Sequence, residues 1–297
     1  MKSYCRQLWL LFFTVTLLLF FTGCSRQTQD FSPEPQQTGA STTPPPVPTP
    51  TPVSDIVWTD TAFEAIVRQT LMKSEGDVVM RKELQEITSL SLLTGVSDLT
   101  DLKYFDHLEE LHVRPAYPLE HPMDLSPIGR LKRLERLDVS LYGDGYDLSF
   151  LRELPQLTAL TIQWPSKGED ISAISSLSNL TVLGLMEIEG LDLSRLSGMV
   201  QLTELYLKFC DVTSLEPLED LVNLRVLALQ DSQGLGSLSP IGGMKSLEFL
   251  DLTGCLMVES LEPLRSLEKL TEVFIAINPE LDLSPLSHVK YINGQPN

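Results

Sequence analysis

Residues that usually carry chemistry are scarce in this chain of 297. Cysteine and histidine occur four times each, and aromatics make up 7% of the residues. No Gly-x-Ser-x-Gly, His-Glu-x-x-His or Cys-x-x-Cys occurs, so the common signatures of a serine nucleophile, a zinc hydrolase or a redox dithiol are missing. Basic residues are also few, 22 against 40 acids, for a formal charge of −18. That balance argues against nucleic acid and against adhesion to anionic lipid or phosphate-rich polymers. It permits a basic partner, but a strong acidic excess more often serves plain solubility. The one long apolar run, Leu8 to Phe21, has fourteen residues where a membrane-spanning helix needs about 20.

Lys2 and Arg6 precede that run and small residues follow it, the layout of a secretory signal. Phe21-Thr22-Gly23-Cys24-Ser25 resembles the lipobox of bacterial lipoproteins, although Leu is usual where Phe21 stands. The resemblance implies a signal peptide over 1–23 and acylation of Cys24 as the mature N-terminus. It further implies an exported protein, lipid-anchored to the bacterial cell membrane and facing outside the cytoplasm. Two or three acyl chains anchor stably where one does not. Loss of Lys2 and Arg6 with the leader takes the charge to −20. Residues 24–54 are rich in Gln, Thr and Pro with no hydrophobic period, so they cannot build a core. The Thr-Pro alternation favours polyproline II, a spacer of about 3.1 Å per residue that reaches roughly 90 Å.

Beyond the linker, leucines take over. In Gln201 to Leu224, Leu205-Tyr206-Leu207 alternates with the period of a half-buried strand, and Leu215, Leu218, Leu221 and Leu224 step by three, as 3₁₀-like turns require. The strand pair recurs at Leu90/Leu92, Leu111/Val113, Leu137/Val139, Leu160/Ile162, Leu183/Leu185, Leu205/Leu207, Leu227/Leu229, Leu250/Leu252 and Val273/Ile275. Successive copies lie twenty-one to twenty-six residues apart. No copy can bury its leucines alone, so the copies stack. The spacing predicts an α/β solenoid over 87–297. This is a leucine-rich repeat horseshoe of about nine units, with a parallel sheet on the concave face and 3₁₀ or turn segments on the convex face.

Residues 55–86 read as an N-terminal helical cap. Phe63, Ile66, Val67 and Leu71 have helical spacing, Asp60 or Thr61 supplies an N-cap, Glu64 stands where a capping box asks, and Gly76 is the expected end. A second short amphipathic piece runs from Arg81 to Ile87. Phe63 to Arg68, Gly76-Asp77-Val78 and Glu83 to Leu92 resemble the cap and first repeat of internalin-like bacterial leucine-rich repeat proteins. The phrases Asp124-Leu125-Ser126-Pro127-Ile128 and Asp282-Leu283-Ser284-Pro285-Leu286 agree with that family. The resemblance covers 56–297 and implies a protein-binding role without naming a target. Family repeats carry Asn three residues after the second strand leucine. Here that slot holds Tyr142, Pro165, Ile188, Cys210, Ser232 and Cys255, with Asn only at Asn278, so a patchy ladder between turns is expected. At the far end, Val273 to Ile277 is the last expected strand, its edge either open to another chain or covered by the tail.

The chemical candidates are thin. Cys210 and Cys255 share a slot two units apart, roughly 9.6 Å at about 4.8 Å per rung, beyond the reach of about 7 Å for a disulfide. They are expected as buried free thiols. His112, His121 and Glu120 surround the long insertion of one unit, too few convergent ligands for a metal site. Tyr142 to Asp147 misses the calcium-loop spacing, and Gly234 to Ser246 lacks the Gly-Lys-Ser of a phosphate loop. No catalytic residue, metal or cofactor is expected, and the chain does not read as an enzyme.

The informative surface is the solvent side of the strands. Alternation places Glu110, His112, Arg114, Arg136, Asp138 and Ser140 there in the early units, and Gly184, Glu204, Ala228, Asp251 and Glu272 later. From the fifth strand onward the strip turns apolar and aromatic. Val182, Met186, Tyr206, Lys208, Val226, Phe249 and Phe274 are the candidate partner-binding residues. The expectation is a surface receptor or adhesin-like module that binds a protein of unknown identity. The alternative is a non-catalytic envelope scaffold with no dedicated ligand on this face.

Overall fold

A computed structural model describes residues 55–93, 95–116, 121–163, 170–276, 278 and 280–297. The expected signal peptide, Cys24 and the linker lie outside these residues, as do Glu120 and Pro165. All that follows concerns the unit spanning 51–297.

Alternating sequence becomes strand at every expected place. The strands are β1 (Ser89–Leu92), β2 (Glu110–Val113), β3 (Arg136–Ser140), β4 (Ala159–Gln163), β5 (Val182–Met186), β6 (Glu204–Lys208), β7 (Val226–Ala228), β8 (Phe249–Leu252) and β9 (Glu272–Ile275), followed by β10 (Tyr291–Ile292) and β11 (Gln295–Pro296). They form one sheet in chain order. Pairing is parallel from β1 to β10, and Leu90, Leu111, Leu137, Leu160, Leu183, Leu205, Leu227, Leu250 and Val273 fall in a single register row. That row is buried throughout. Each leucine so removed from water contributes about 1.5–3 kcal/mol, which a lone repeat could not collect.

The opposite side is built from nine 3₁₀ turns among the described residues. Their starts are written in the sequence. Asp124, Asp147, Asp170, Asp192 and Asp282 each accept a hydrogen bond from the backbone N–H two residues on. Ser214, Ser237 and Ser260 do the same through their hydroxyls. Such Asx and Ser turns compete with α-helix, and proline at the first positions of five of the turns reinforces the short form. Gly234 to Ser246 is one of these convex turns (Ser239–Gly243).

The cap contains helices α1 (Thr61–Thr70) and α2 (Arg81–Leu84). Asp60 is the N-cap, accepting from the N–H groups of Ala62 and Phe63 at 2.8 and 2.9 Å. Glu64 does not complete a capping box. It pairs with Arg68 at 2.7 Å, one turn along the same helix face. Nor does Gly76 end the helix. Met72 takes the left-handed position at φ 56°, with Lys73 N–H bonded to Arg68 O and Met72 N–H to Gln69 O. This is the Schellman closure in which glycine is usual. The Arg68 and Lys73 side chains then donate to the carbonyls of Ser74, Asp77 and Val78, which pins the reversal early. Phe63 packs on Phe105 of the first repeat, ring centres 5.7 Å apart.

The ladder slot is patchy, as expected, but its cysteines do more than pack. The Cys210 thiol donates to Leu185 O at 3.3 Å and the Cys255 thiol to Leu229 O at 3.0 Å, each reaching the preceding turn. Burial pushes both thiols up to about 11. Ser232 is fully buried, and among the described residues its hydroxyl is unpartnered and the Asn278 side chain bonds only within its own turn. At the end of the sheet the tail covers the strand. β10 pairs with Glu272–Val273 of β9, and β11 folds back antiparallel. Asn293 and Gly294 turn the hairpin with φ 52° and 72°.

Candidate functional site

The strand face divides into two halves of different chemistry. Across β2 and β3 the charges satisfy one another. Glu110 lies 3.5 Å from Arg136 and 3.3 Å from His112, while Arg136 also approaches Glu135 at 3.9 Å. Burial pushes the Glu110 carboxyl up, but Arg136 and His112 outweigh it, so it titrates below the ordinary range. Burial raises Asp138, and His112 and Arg114 only partly offset this.

From β5 to β9 the face is aromatic and aliphatic. The Phe249 and Phe274 rings meet at 5.8 Å in a tilted pair on neighbouring strands. Phe249 has Val226 as its register neighbour on one side and Glu272 on the other. Tyr206 donates its hydroxyl to Glu204 at 2.7 Å, and burial followed by this bond raises the phenol well above its usual value. The Lys208 ammonium stands 5.9 Å from the centre of the Tyr206 ring. Burial lowers its proton affinity, with Asp251 acting in the opposite sense.

The seven candidate residues all lie on this face, but as half-buried side chains rather than freely exposed ones. Strands only about 4.8 Å apart shield one another's side chains, so a pleated face never fully bares a ring. For the same reason Ser140, Gly184, Ala228 and Asp251, expected to face solvent, are buried. Gln230 and the Thr253 N–H both donate to Asp251 and hold it down. Gly184 leaves room for Thr161, whose Oγ1 would stand 3.2 Å from an added Cβ.

Sequence reasoning passed over Phe209. It follows Lys208, has a left-handed backbone (φ 57°) and is 43% exposed. The corresponding slot holds Glu187 (φ 60°), Asp231 (φ 60°) and Gly254 (φ 79°). Gly254 before Cys255, set beside Phe209 before Cys210, is the signal that could have revealed the slot, since glycine favours that backbone. The histidines take structural roles: His107 bonds Gln85 O and His288 bonds Leu267 O. His121 is exposed, and among the described residues no three potential ligands converge.

No sequence family matches the chain, and no characterised protein matches it in sequence. Solved structures do match. An internalin (InlF) from Listeria monocytogenes superposes with a TM-score of 0.59 at 21% identity, over 79% of this chain and 75% of that one. A second Listeria internalin (InlC2) gives 0.50 at 25% identity, over 78% and 91%. A leucine-rich repeat protein of Leptospira interrogans gives 0.58 at 21%, over 71% of this chain and 55% of that one. In fold, the chain is an internalin-like leucine-rich repeat protein.

Proposed function

We propose that this chain is a non-catalytic binding protein that holds a partner protein on the strand face between β5 and β9. The observation that carries the proposal is the Phe249–Phe274 pair. Two apposed rings on adjacent strands, with Val226 beside them, form an aromatic cluster on a rigid sheet. Clustered aromatics on a preorganised surface are the usual anchors of protein interfaces, and rigidity limits the entropy lost on docking. Val182, Met186, Tyr206 and Lys208 extend the same surface across β5 and β6. Export through residues 1–23, acylation at Cys24 and a spacer to residue 54 would present it outside the cytoplasm, at a bacterial membrane.

The half-burial of all seven residues favours one other reading, an envelope scaffold whose strand face has no dedicated ligand. One experiment separates them. The immobilised full chain is incubated with a surface-protein extract beside a Tyr206→Ala/Phe249→Ser/Phe274→Ser variant whose fold is checked by circular dichroism. A partner held by the parent and lost by the folded variant supports the receptor. A partner held equally by both moves the interface elsewhere, and no partner favours the scaffold.

A further inference from the structure

We infer that the segment recognised on this face is extended and cationic, with a basic residue on each side of an apolar one. The inference rests on the strand-face binding proposed above and specifies its ligand. Register sets Glu204, Val226, Phe249 and Glu272 in one row across β6 to β9. The row therefore reads acid, apolar, aromatic, acid, with the two carboxylates three rungs apart, about 14 Å. An extended peptide advances about 13 Å in four residues and turns every second side chain to the same side. Residues i and i+4 of such a peptide would meet Glu204 and Glu272, and residue i+2 would rest on Val226 and Phe249.

The charges point the same way. On β2 and β3 the acids already have cations, whereas here they do not. Glu204 accepts only the Tyr206 hydroxyl among the described residues, which aims the carboxylate without neutralising it. Arg225 lies within electrostatic range of Glu204, but its guanidinium is committed to Glu248 through two bonds of 2.9 and 3.0 Å. Glu272 makes no side-chain hydrogen bond or ion pair among the described residues. Lys208, the cation of this stretch, stands four residues beyond Glu204 on β6, where the Tyr206 ring and Asp251 draw it. Two carboxylates without a cation of their own, bracketing Val226 and Phe249 on a chain of net charge −18, complement a basic–x–apolar–x–basic segment. The tilted rings add a surface for the cations' alkyl stems.

The probe is the peptide acetyl-Lys-Thr-Phe-Thr-Lys-amide, titrated calorimetrically into the full chain beside its Glu-Thr-Phe-Thr-Glu counterpart. The basic peptide is expected to bind, more tightly at low salt, and the acidic one not to bind. Glu204→Gln and Glu272→Gln should each weaken binding about threefold, and together about tenfold. Glutamine preserves shape and still accepts from Tyr206, so the fold is retained, and Glu110→Gln should change nothing. Equal binding of both peptides, no binding of the basic one, or indifference to the paired glutamines overturns the inference. If the aromatic triple variant loses its captured partner while the paired glutamines keep it, the strand-face function stands and only this ligand chemistry fails.

Discussion

Asp60 and Asp101 clasp the helical cap to the first repeat from opposite directions. Asp101, fully buried in the first 3₁₀ turn, accepts from the N–H groups of Thr59 and Asp60 at 2.7 and 3.1 Å. Asp60 in turn caps α1 with one oxygen, and with the other accepts from Ser97 N–H, Ser97 Oγ and Asp98 N–H at 2.8 to 3.1 Å. Removing Asp101 strands the buried Asp60 N–H and the partly exposed Thr59 N–H, so Asp101→Ala should cost about 2 kcal/mol in denaturant unfolding, and Asp60→Ala a similar amount. Asn at either site should recover part of the loss.

The clasp also makes stability depend on pH. Burial pushes the Asp60 carboxyl up, but the bonds from Ser97, Phe63 and Asp98 outweigh it, so its folded value lies below the ordinary 3.8. A depressed carboxylate stabilises the fold fully above its unfolded value, and that contribution fades as pH falls through the folded value. Thermal melts of the parent should therefore lose more stability below about pH 4 than melts of Asp60→Asn, which has no proton to take up. Parallel acid profiles for the two proteins would remove Asp60 as the cause.

How far the sequence reveals this molecule depends on the range of the interaction. Leu205 and its eight counterparts were legible because each repeats a local pattern that stacking then enforces. The Asp124 and Ser126 pair was legible for the same reason, its cap closing within two residues. Met72 at the helix end was not, because the side chains of Arg68 and Lys73 settle the reversal from outside the helix pattern. The tail hairpin had a signal that was passed over, since Asn293-Gly294 is the dipeptide favoured for a two-residue turn with φ above zero. For the strand face, alternation named the right side chains but not their half-burial. Exposure there is set by neighbours some twenty residues away, such as Thr161 against Gly184.

The two ladder-slot thiols offer a labelling test. A thiol pushed up to about 11 and bonded to a carbonyl is neither ionised nor accessible at neutral pH. Iodoacetamide at pH 8, followed by peptide mass spectrometry, should leave Cys210 and Cys255 unmodified in the folded chain and modify both in guanidinium. Rapid labelling of either in the folded state would show that its turn opens. At Ser232 between them, the buried hydroxyl has no partner among the described residues, so Ser232→Ala should cost nothing or raise stability by up to about 1 kcal/mol.

Met72 presents a case where a smaller residue should help. Its side chain is 96% exposed while its backbone is held at φ 56°. Nothing is gained by packing, and a left-handed backbone costs a residue with a Cβ about 1 kcal/mol. Met72→Gly is therefore expected to raise the melting temperature by a few degrees without altering the far-ultraviolet spectrum. A fall would mean that glycine's freedom in the unfolded chain outweighs the relieved strain.

The hairpin that follows the last repeat protects more than itself. Without it, the Glu272–Val273 stretch of β9 would offer unpaired backbone groups along the end of a nine-stranded parallel array, a template for another chain. β11 instead presents Pro296, which has no N–H to donate. Asn293 Oδ1 accepts from Ile275 N–H at 2.9 Å beyond the reach of β10, so one side chain extends the cover to the upper part of β9. Gly294 holds φ 72° with space for a Cβ, the nearest atom being Phe274 Cζ at 4.0 Å, so backbone strain alone selects glycine. Gly294→Val, β-branched and ill suited to that conformation, should cost about 1–2 kcal/mol and release the hairpin. The released edge is expected to appear as concentration-dependent self-association in sedimentation velocity, absent from the parent and from Gly294→Asn, which tolerates the left-handed turn. A Gly294→Val protein that loses stability yet remains monomeric at high concentration would show that the edge of β9 is guarded by something other than pairing.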